Sequence, residues 1–190
     1  FDHGTGAHAT DALALVRRVA AELDIEMIGA RASFQGRTEA EWRAQRWSFL
    51  RTVAGERGAQ VATAHTRDDQ LETVLMRVMR GSGARGLAAL GADASRSAAR
   101  APAIVRPLFG AARGDVAAYA ARNRVAWVED PGNARPEHLR NRLRRDLLPA
   151  LLRAAPSLGG DLLALADRAA RLRTEVDRFV DRELALELPY

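Results

Sequence analysis

The chain has 190 residues, 47% of them hydrophobic, which is enough for one packed domain and an appended segment. It contains no cysteine, which excludes disulfides, thiolate metal sites and thiol nucleophiles, and no lysine, which excludes Walker-type and Schiff-base lysines. Its net charge of +5, with all 29 basic residues arginine, favours a phosphate-rich partner such as RNA, although a GC-rich genome also enriches arginine.

The first elements are predicted from a helical pattern and a short apolar stretch. Thr10 and Asp11 can cap a helix whose inward-facing residues are expected to be Leu13, Val16, Ala20 and Leu23. A weak strand is expected over residues 26–30, and a loop over residues 33–37.

A capping-box pattern predicts a long second helix. Thr38 and Glu41 have the required spacing for a helix over residues 39–57. Its buried stripe is predicted to be Ala40, Ala44, Trp47, Leu50 and Ala54. Arg43 and Arg46 share one face, which fits solvated arginines paired with neighbouring glutamates.

The stretch from residue 60 to residue 90 predicts a strand, a polar turn, a helix and a glycine turn. Residues 60–64 are typical of a strand in a parallel sheet. The helix is expected to end at Gly81. Its apolar face is expected to pack against the sheet through Leu71, Val74, Leu75, Val78 and Met79.

The polar turn gathers His65, Thr66, Asp68, Asp69 and Glu72. Open α/β sheets bind ligands at such a strand-to-helix turn. Thr66 and the two aspartates have the chemistry of a helix cap. The whole cluster also suits Mg²⁺ or an ammonium-bearing substrate. The residues alone leave both interpretations open.

Further strands and helices alternate after residue 90. Residues 91–103 predict a surface loop and residues 103–105 a strand. A helix is expected from Asp115 to about Asn123, and another strand over residues 125–128. This alternation is typical of a doubly wound parallel sheet.

A turn and a basic helix follow the last predicted strand. Residues 129–133 read EDPGN, which predicts a turn. Arg140 and Arg144 lie one helical turn apart and could clamp a phosphate or a carboxylate. A structural role, in which Asp130 and Asn133 tie the turn to the helix, is the alternative.

The last part of the chain predicts one long helix. Pro156 and the glycine pair at 159–160 are expected to separate it from the preceding residues. Its seam is predicted to be Leu162, Leu165, Ala169, Leu172, Val176 and Phe179. We therefore expect a domain over residues 1–149 and a helical connector over residues 150–190, leading to a carboxyl-terminal part.

One motif is more specific than these patterns: AHTRDDQLETVLMRVMRGSGARGL. It resembles the signature of the tRNA(Ile)-lysidine synthetase family of PP-loop ATP pyrophosphatases. The stretches VRPLFG, WVEDPGN and LRNRLRRDLLP resemble three further family blocks, so the likeness runs from Phe1 to about Pro149. It implies an α/β, Rossmann-like doubly wound parallel sheet of the adenine nucleotide alpha-hydrolase type, followed by a helical extension.

The family's nucleotide loop, a serine-glycine-glycine-x-aspartate-serine motif, is absent from these residues. The chain begins with FDHG, which resembles the end of the family's second strand. We therefore expect this chain to lack the first strand, the nucleotide loop and the first helix.

The resemblance implies an ATP-dependent ligase. Such an enzyme adenylates the ring carbonyl of the wobble cytidine in an isoleucine tRNA with a CAU anticodon, and free lysine then displaces AMP to give lysidine. ATP and Mg²⁺ are the implied cofactors. The implied partners are this tRNA, free lysine and a second copy of the chain, in the cytoplasm and without a membrane.

The resemblance also implies site residues. His65, Asp68 and Asp69 are implied to be catalytic, Asp69 and Glu72 to recognise lysine, and Asp68 to hold Mg²⁺. Contacts to the nucleotide or RNA are implied for Arg43, Arg46, Arg80, Asp130, Asn133, Arg140, Asn141 and Arg144.

Two other functions stay open. One is a different PP-loop enzyme, such as a tRNA thiolase or an amidotransferase-linked synthetase, although thiolases commonly need cysteines. The other is a non-catalytic arginine-rich RNA-binding module in which the acidic cluster only caps a helix. A glycine-rich nucleotide loop upstream would favour an enzyme.

Overall fold

The chain folds into two compact units. The first contains residues 1–61 and 114–135, and the second contains residues 62–113 and 136–190. The computed structural model describes the following residues: 1–2, 4, 6–32, 38–94 and 103–187. The loop predicted over 33–37 and most of the loop predicted over 91–103 lie outside them.

Helices account for most of the described residues. The α-helices are α1 (Ala7–Glu22), α2 (Glu39–Glu56), α3 (Arg67–Met79), α4 (Ala84–Leu87), α5 (Arg113–Arg122), α6 (Leu139–Arg142), α7 (Leu148–Ala154) and α8 (Leu158–Glu187). The strands are β1 (Val61–Ala62) and β2 (Ile104–Val105). Two 3₁₀-helices span Ala89–Ala94 and Pro131–Ala134, and a π-helical turn spans Leu143–Leu147.

The first unit begins with a parallel backbone bridge between Asp2 and Arg31. Asp2 donates its N–H to the Ala30 carbonyl at 2.8 Å and accepts from the Ala32 N–H at 2.7 Å. The strands predicted over 26–30 and 125–128 do not form, and that prediction is wrong. A strand is defined by a ladder of hydrogen bonds to a neighbour. The Ala30 carbonyl takes part in the isolated bridge to Asp2, but neither stretch forms a strand.

Helix α1 begins earlier than predicted. Its N-cap is Gly6, with φ +128°, so Thr10 and Asp11 lie inside the helix and do not cap it. Val16 and Leu23 were expected to face inward, but they are 54% and 62% exposed. Periodicity correctly places apolar residues along one helix, but it does not show what covers them.

Helix α2 confirms the capping box predicted from its sequence. The Thr38 hydroxyl accepts from the Glu41 N–H at 3.2 Å, and the Glu41 carboxylate accepts from the Thr38 N–H at 3.1 Å. The predicted stripe is partly wrong: Ala54 is buried, whereas Ala40 and Ala44 are exposed. The cap depends on residues three apart, while burial depends on distant parts of the chain.

Strands β1 and β2 pair in a two-stranded sheet, which continues into the second unit at Ala62. The Thr63 N–H donates to the Val105 carbonyl at 3.0 Å, which confirms the strands predicted near these positions. Helix α3 then ends as predicted, with Arg80 as its C-cap and Gly81 in the left-handed region at φ +66°.

The apolar face of α3 packs against helices, not mainly against the sheet as predicted. It contacts α8, α4 and the first 3₁₀-helix. The core of this unit is Leu71, Val74, Leu75, Ala89, Leu143, Leu148, Leu162 and Ala166. Val78 and Met79, which were expected in the same face, are 42% and 52% exposed.

Helix α8 confirms the predicted long helix but not its predicted seam. Leu162 and Ala169 are buried, whereas other seam residues are exposed: Leu165, Leu172, Val176 and Phe179. The glycine pair at 159–160 lies in the first turn of α8 and does not separate it from what precedes. Among the described residues, no helix combines the length and hydrophobicity needed to cross a membrane.

Candidate functional site

The site is built on the first turn of α3. The Asp69 carboxylate oxygen Oδ2 accepts from the Thr66 N–H and from the Thr66 hydroxyl, both at 2.9 Å. The Asp69 N–H in turn donates to the Thr66 hydroxyl oxygen at 3.4 Å. This reciprocal capping box confirms the cap interpretation of Thr66 and Asp69, and it leaves the second Asp69 oxygen, Oδ1, for other partners.

Replacing Thr66 with alanine is expected to lower the free energy of unfolding by about 1 kcal/mol, because the two hydrogen bonds of its hydroxyl are lost. Urea denaturation followed by circular dichroism measures this change. A Thr66→Ser variant keeps the hydroxyl and is expected to stay close to the wild type. Equal stability of the alanine variant and the wild type would contradict a stabilising cap.

Glu72 lies one turn further along α3 and is only 1% exposed. A buried carboxylate is costly unless it is paired and hydrogen-bonded, and three arginines meet both needs. Arg144 binds it bidentately: Nε donates to Oε1 at 2.7 Å and Nη2 donates to Oε2 at 3.0 Å. Arg140 Nε donates to Oε2 at 2.7 Å, and Arg113 Nη2 donates to Oε1 at 3.0 Å.

Asp69 shares two of these arginines. Its Oδ1 accepts from Arg140 Nη2 at 3.1 Å and from Arg113 Nη2 at 3.2 Å, and Arg144 Nη2 lies 3.8 Å away. We call these two carboxylates and three guanidiniums the Arg–acid cluster. Arg140 and Arg144 share a face, as the sequence predicted. The carboxylate that Arg144 binds is that of Glu72 in the same chain.

A π-helical turn carries Arg144. Arg140 lies in α6, and the wider turn Leu143–Leu147 follows it directly. Pro149 lies just beyond and has no N–H to donate to the carbonyl four residues earlier, that of Arg145. The backbone therefore departs from regular α-helix at Arg144 itself, a residue of the cluster.

Arg113, at the start of α5, was not identified from the sequence. Its side chain joins the cluster, and its backbone N–H donates to Asp68 Oδ2 at 2.7 Å. The available signal was its position just after the VRPLFG stretch, but nothing local links it to acids more than 40 residues earlier. Asp68 therefore positions the backbone of Arg113.

His65 precedes the cap. Its Nδ1 and the Thr63 hydroxyl oxygen are 2.8 Å apart, so the hydroxyl fixes the orientation of a half-buried imidazole. Gln70, which the sequence did not single out, is 2% exposed and accepts from the Leu90 N–H at 3.0 Å. Asn141 is also buried, at 8% exposure.

The other predicted residues lie elsewhere. Arg80 is exposed at the carboxyl end of α3, away from the cluster at the other end of the same helix. The remaining four belong to the first unit. There, Asp130 accepts from the Gly132 N–H at 2.7 Å, as predicted for this turn, and lies 3.7 Å from His8 Nε2. The other three are exposed: Asn133, Arg43 and Arg46.

Hydrogen bonds and the arginine charges together keep both carboxylates ionised. Burial by itself would raise the pKa of Asp69, but hydrogen bonds from Thr66 and the charges of Arg113 and Arg140 bring that pKa below its ordinary 3.8. Burial would also raise the pKa of Glu72, but its bonds to Arg144 and Arg140 bring that pKa below 4.5. The bond to Glu72 raises the pKa of Arg144.

These shifts predict acid-sensitive stability. Both carboxyls bind protons more weakly in the folded state, so their stabilisation is complete above about pH 4.5 and is lost as the pH falls through the lowered values. Urea midpoints of the wild type and a Glu72→Gln variant, measured from pH 7 downwards, are expected to converge in acid. A difference that stayed constant with pH would contradict this prediction.

A metal site was expected at Asp68. The described residues contain no group of three or more histidine, aspartate or glutamate side chains able to hold a metal ion. Asp68 also accepts the Arg113 N–H with one oxygen. Mg²⁺ commonly takes one or two carboxylates and completes its shell with phosphates and water, so magnesium binding at Asp68 stays a prediction.

Comparison with known proteins places these residues in context. Residues 1–151 match the PP-loop domain family, ATP_bind_3. A tRNA(Ile)-lysidine synthase of Xanthomonas campestris pv. campestris is 43% identical over 143 residues, covering 75% of this chain and 31% of that protein. One from Rhodopseudomonas palustris is 39% identical over 184 residues, covering 95% of this chain and 52% of that protein.

A solved structure is also similar: the U34-tRNA thiolase NcsA of Methanococcus maripaludis. It matches with a TM-score of 0.69 at 17% identity, over 88% of this chain and 60% of that chain. This likeness and the family match confirm the predicted α/β fold class. The chain spans about a third to a half of the length of these curated relatives.

Proposed function

The chain belongs to the PP-loop domain family, and on that premise we propose that it is part of an ATP-dependent enzyme that modifies isoleucine tRNA. The reaction is ligation of lysine to the wobble cytidine of a CAU anticodon, through an adenylated cytidine. The observation that carries this proposal is sequence identity of 39–43% to proteins named tRNA(Ile)-lysidine synthase, over 75–95% of the chain.

The proposed ligation has two steps, activation of the cytidine and attack by the lysine amine, and the candidate site can support both. Adenylation converts the cytidine carbonyl oxygen into a good leaving group, and the lysine amine must then be held at the activated carbon. In this proposal Asp69 and Glu72 recognise the cationic substrate, and their ionised state supports that role. His65 contacts the nucleotide or the cytidine.

The remaining predicted residues have supporting roles in the proposal. Asp68 positions the nucleotide, and Mg²⁺ bound there would help to neutralise the ATP phosphates. Guanidinium groups suit the phosphates of ATP or tRNA. The residues assigned to contacts with the nucleotide or the RNA are Arg43, Arg46, Arg80, Asp130, Asn133, Arg140, Asn141 and Arg144. Assembly as a homodimer also stays a prediction.

The pairing of Asp69 and Glu72 with arginines favours a second candidate function, a non-catalytic RNA-binding module. Asp69 caps α3, and both Asp69 and Glu72 are neutralised by arginines of the same chain. Such a cluster can be purely structural, in which case the protein would bind RNA through its other arginines and catalyse nothing. A thiolase is less favoured, because these 190 residues supply no cysteine for a cluster or a persulfide.

Reconstitution separates these candidates. The full-length protein is incubated with ATP, lysine and an unmodified isoleucine tRNA bearing a CAU anticodon, and the tRNA nucleosides are then analysed. We expect lysidine and AMP in equal amounts, and neither product when lysine or ATP is omitted. Binding of the tRNA without any nucleoside change would favour the RNA-binding module and contradict the ligase.

A further inference from the structure

Arg113 is held in the Arg–acid cluster differently from the other two arginines. Arg140 and Arg144 each donate through two nitrogens, Nε and Nη2, and each has a contact of 2.7 Å. Arg113 donates through Nη2 alone, at 3.0 Å to Glu72 and 3.2 Å to Asp69. Its side chain is also the most exposed of the three, at 38% compared with 34% and 29%.

The cluster keeps its pairing without the Arg113 side chain. Both Glu72 oxygens would still accept from Arg144, and Asp69 Oδ1 would still accept from Arg140. Two guanidiniums would then face two carboxylates. The backbone of Arg113 has a separate anchor in Asp68 Oδ2, so its side chain can leave while its backbone stays in place.

An ammonium group is a natural replacement for this guanidinium. It carries the same single charge, so the exchange leaves the charge of the cluster unchanged, and its three donors can reach the same two carboxylates. Each of the two retained arginines donates through two nitrogens and has one contact of 2.7 Å, whereas both bonds of Arg113 share one nitrogen, so displacing either retained arginine would cost more.

We propose that Arg113 is a displaceable counter-ion, whose guanidinium occupies the place between Asp69 and Glu72 that the ammonium group of the lysine substrate takes. This inference rests on the proposed ligase function and adds a residue that sets affinity for the amine. Arg113 keeps the carboxylates paired when lysine is absent, and lysine binds only in competition with it.

The test compares lysine binding and kinetics in full-length variants. Arg113→Met removes the competing charge and keeps an unbranched stem, so we expect the Kd and the KM for lysine to fall about two- to fivefold, with the KM for ATP unchanged. Arg113→Lys retains a cation and is expected to stay near the wild type. Arg122→Met, on the exposed surface of the same helix α5, is the matched control and is expected to change neither constant.

Titration calorimetry with L-lysine gives the Kd, and initial-rate measurements give the KM. If the Arg113 side chain had a purely structural role, Arg113→Met would instead lower kcat or the thermal stability. A Kd for lysine that is unchanged or higher in Arg113→Met overturns the inference, while lysidine formation by the wild type would leave the proposed function standing. A wild type that neither binds lysine nor forms lysidine overturns both.

Discussion

Replacing Glu72 with glutamine is expected to lower the free energy of unfolding by about 3 kcal/mol, the lower end of the range for breaking a buried ion pair. The variant keeps the size of the side chain but removes the charge that faces three guanidiniums. Asp69 would remain as their only carboxylate partner within the cluster. The lower end applies because the arginines keep 29–38% of their side-chain surface in water, which screens the lost attraction.

Urea denaturation at neutral pH measures this loss, with Glu175→Gln on the exposed surface of α8 as the matched control. The control is expected to stay within about 0.5 kcal/mol of the wild type. A double variant, Glu72→Gln with Arg144→Met, is expected to lose less than the sum of the two single variants, because each single change already removes the pair between Arg144 and Glu72. A loss from Glu72→Gln as small as that of the control would show that the cluster contributes little to stability.

Replacing Leu143 with alanine is expected to cost about 2–5 kcal/mol, the range for truncating a buried leucine. Leu143 is 1% exposed in the core of the second unit, and it starts the π-helical turn that carries Arg144. Its loss leaves a cavity beside α3 and α8 residues and loosens the turn. We therefore expect both a lower urea midpoint and weaker pairing between Arg144 and Glu72.

The last residue of the same turn provides the control for this prediction. Leu147 is 38% exposed, so a Leu147→Ala variant removes the same atoms from a position that still contacts water. Its cost is expected to be less than half that of Leu143→Ala. Equal losses in the free energy of unfolding for the two variants would mean that burial in this core does not determine how much each leucine stabilises the protein.

Local chemistry made part of this structure predictable. The box of Thr38 and Glu41 depends on a spacing of three residues, and the end of α3 depends on the freedom of Gly81 to adopt a positive φ. The strand-to-helix turn at His65 followed from an apolar run and the cap chemistry beside it. These features need no knowledge of the rest of the chain.

The arginine pairing of the acidic residues and the burial of the helix faces depend on contacts between distant parts of the chain, which no local pattern encodes. Glu72 meets Arg113, Arg140 and Arg144 across separations of 41, 68 and 72 residues, so the sequence identified an acidic cluster but not its neutralisation. The same limit explains the errors in burial. Periodicity showed which residues of α8 share a face, but the exposure of Leu172 depends on which surfaces lie opposite it.

One carboxylate oxygen of Asp69 caps α3 and the other pairs with arginines. The stability of the first turn of α3 is therefore coupled to whatever cation binds Asp69. Oδ2 secures the Thr66 amide, while Oδ1 meets the arginines. Any event that pulls Asp69 toward a new cation therefore strains the opening turn of the helix. Hydrogen–deuterium exchange of the Thr66 amide should consequently become faster when a new cation binds Asp69, so a main-chain measurement reports on a side-chain event.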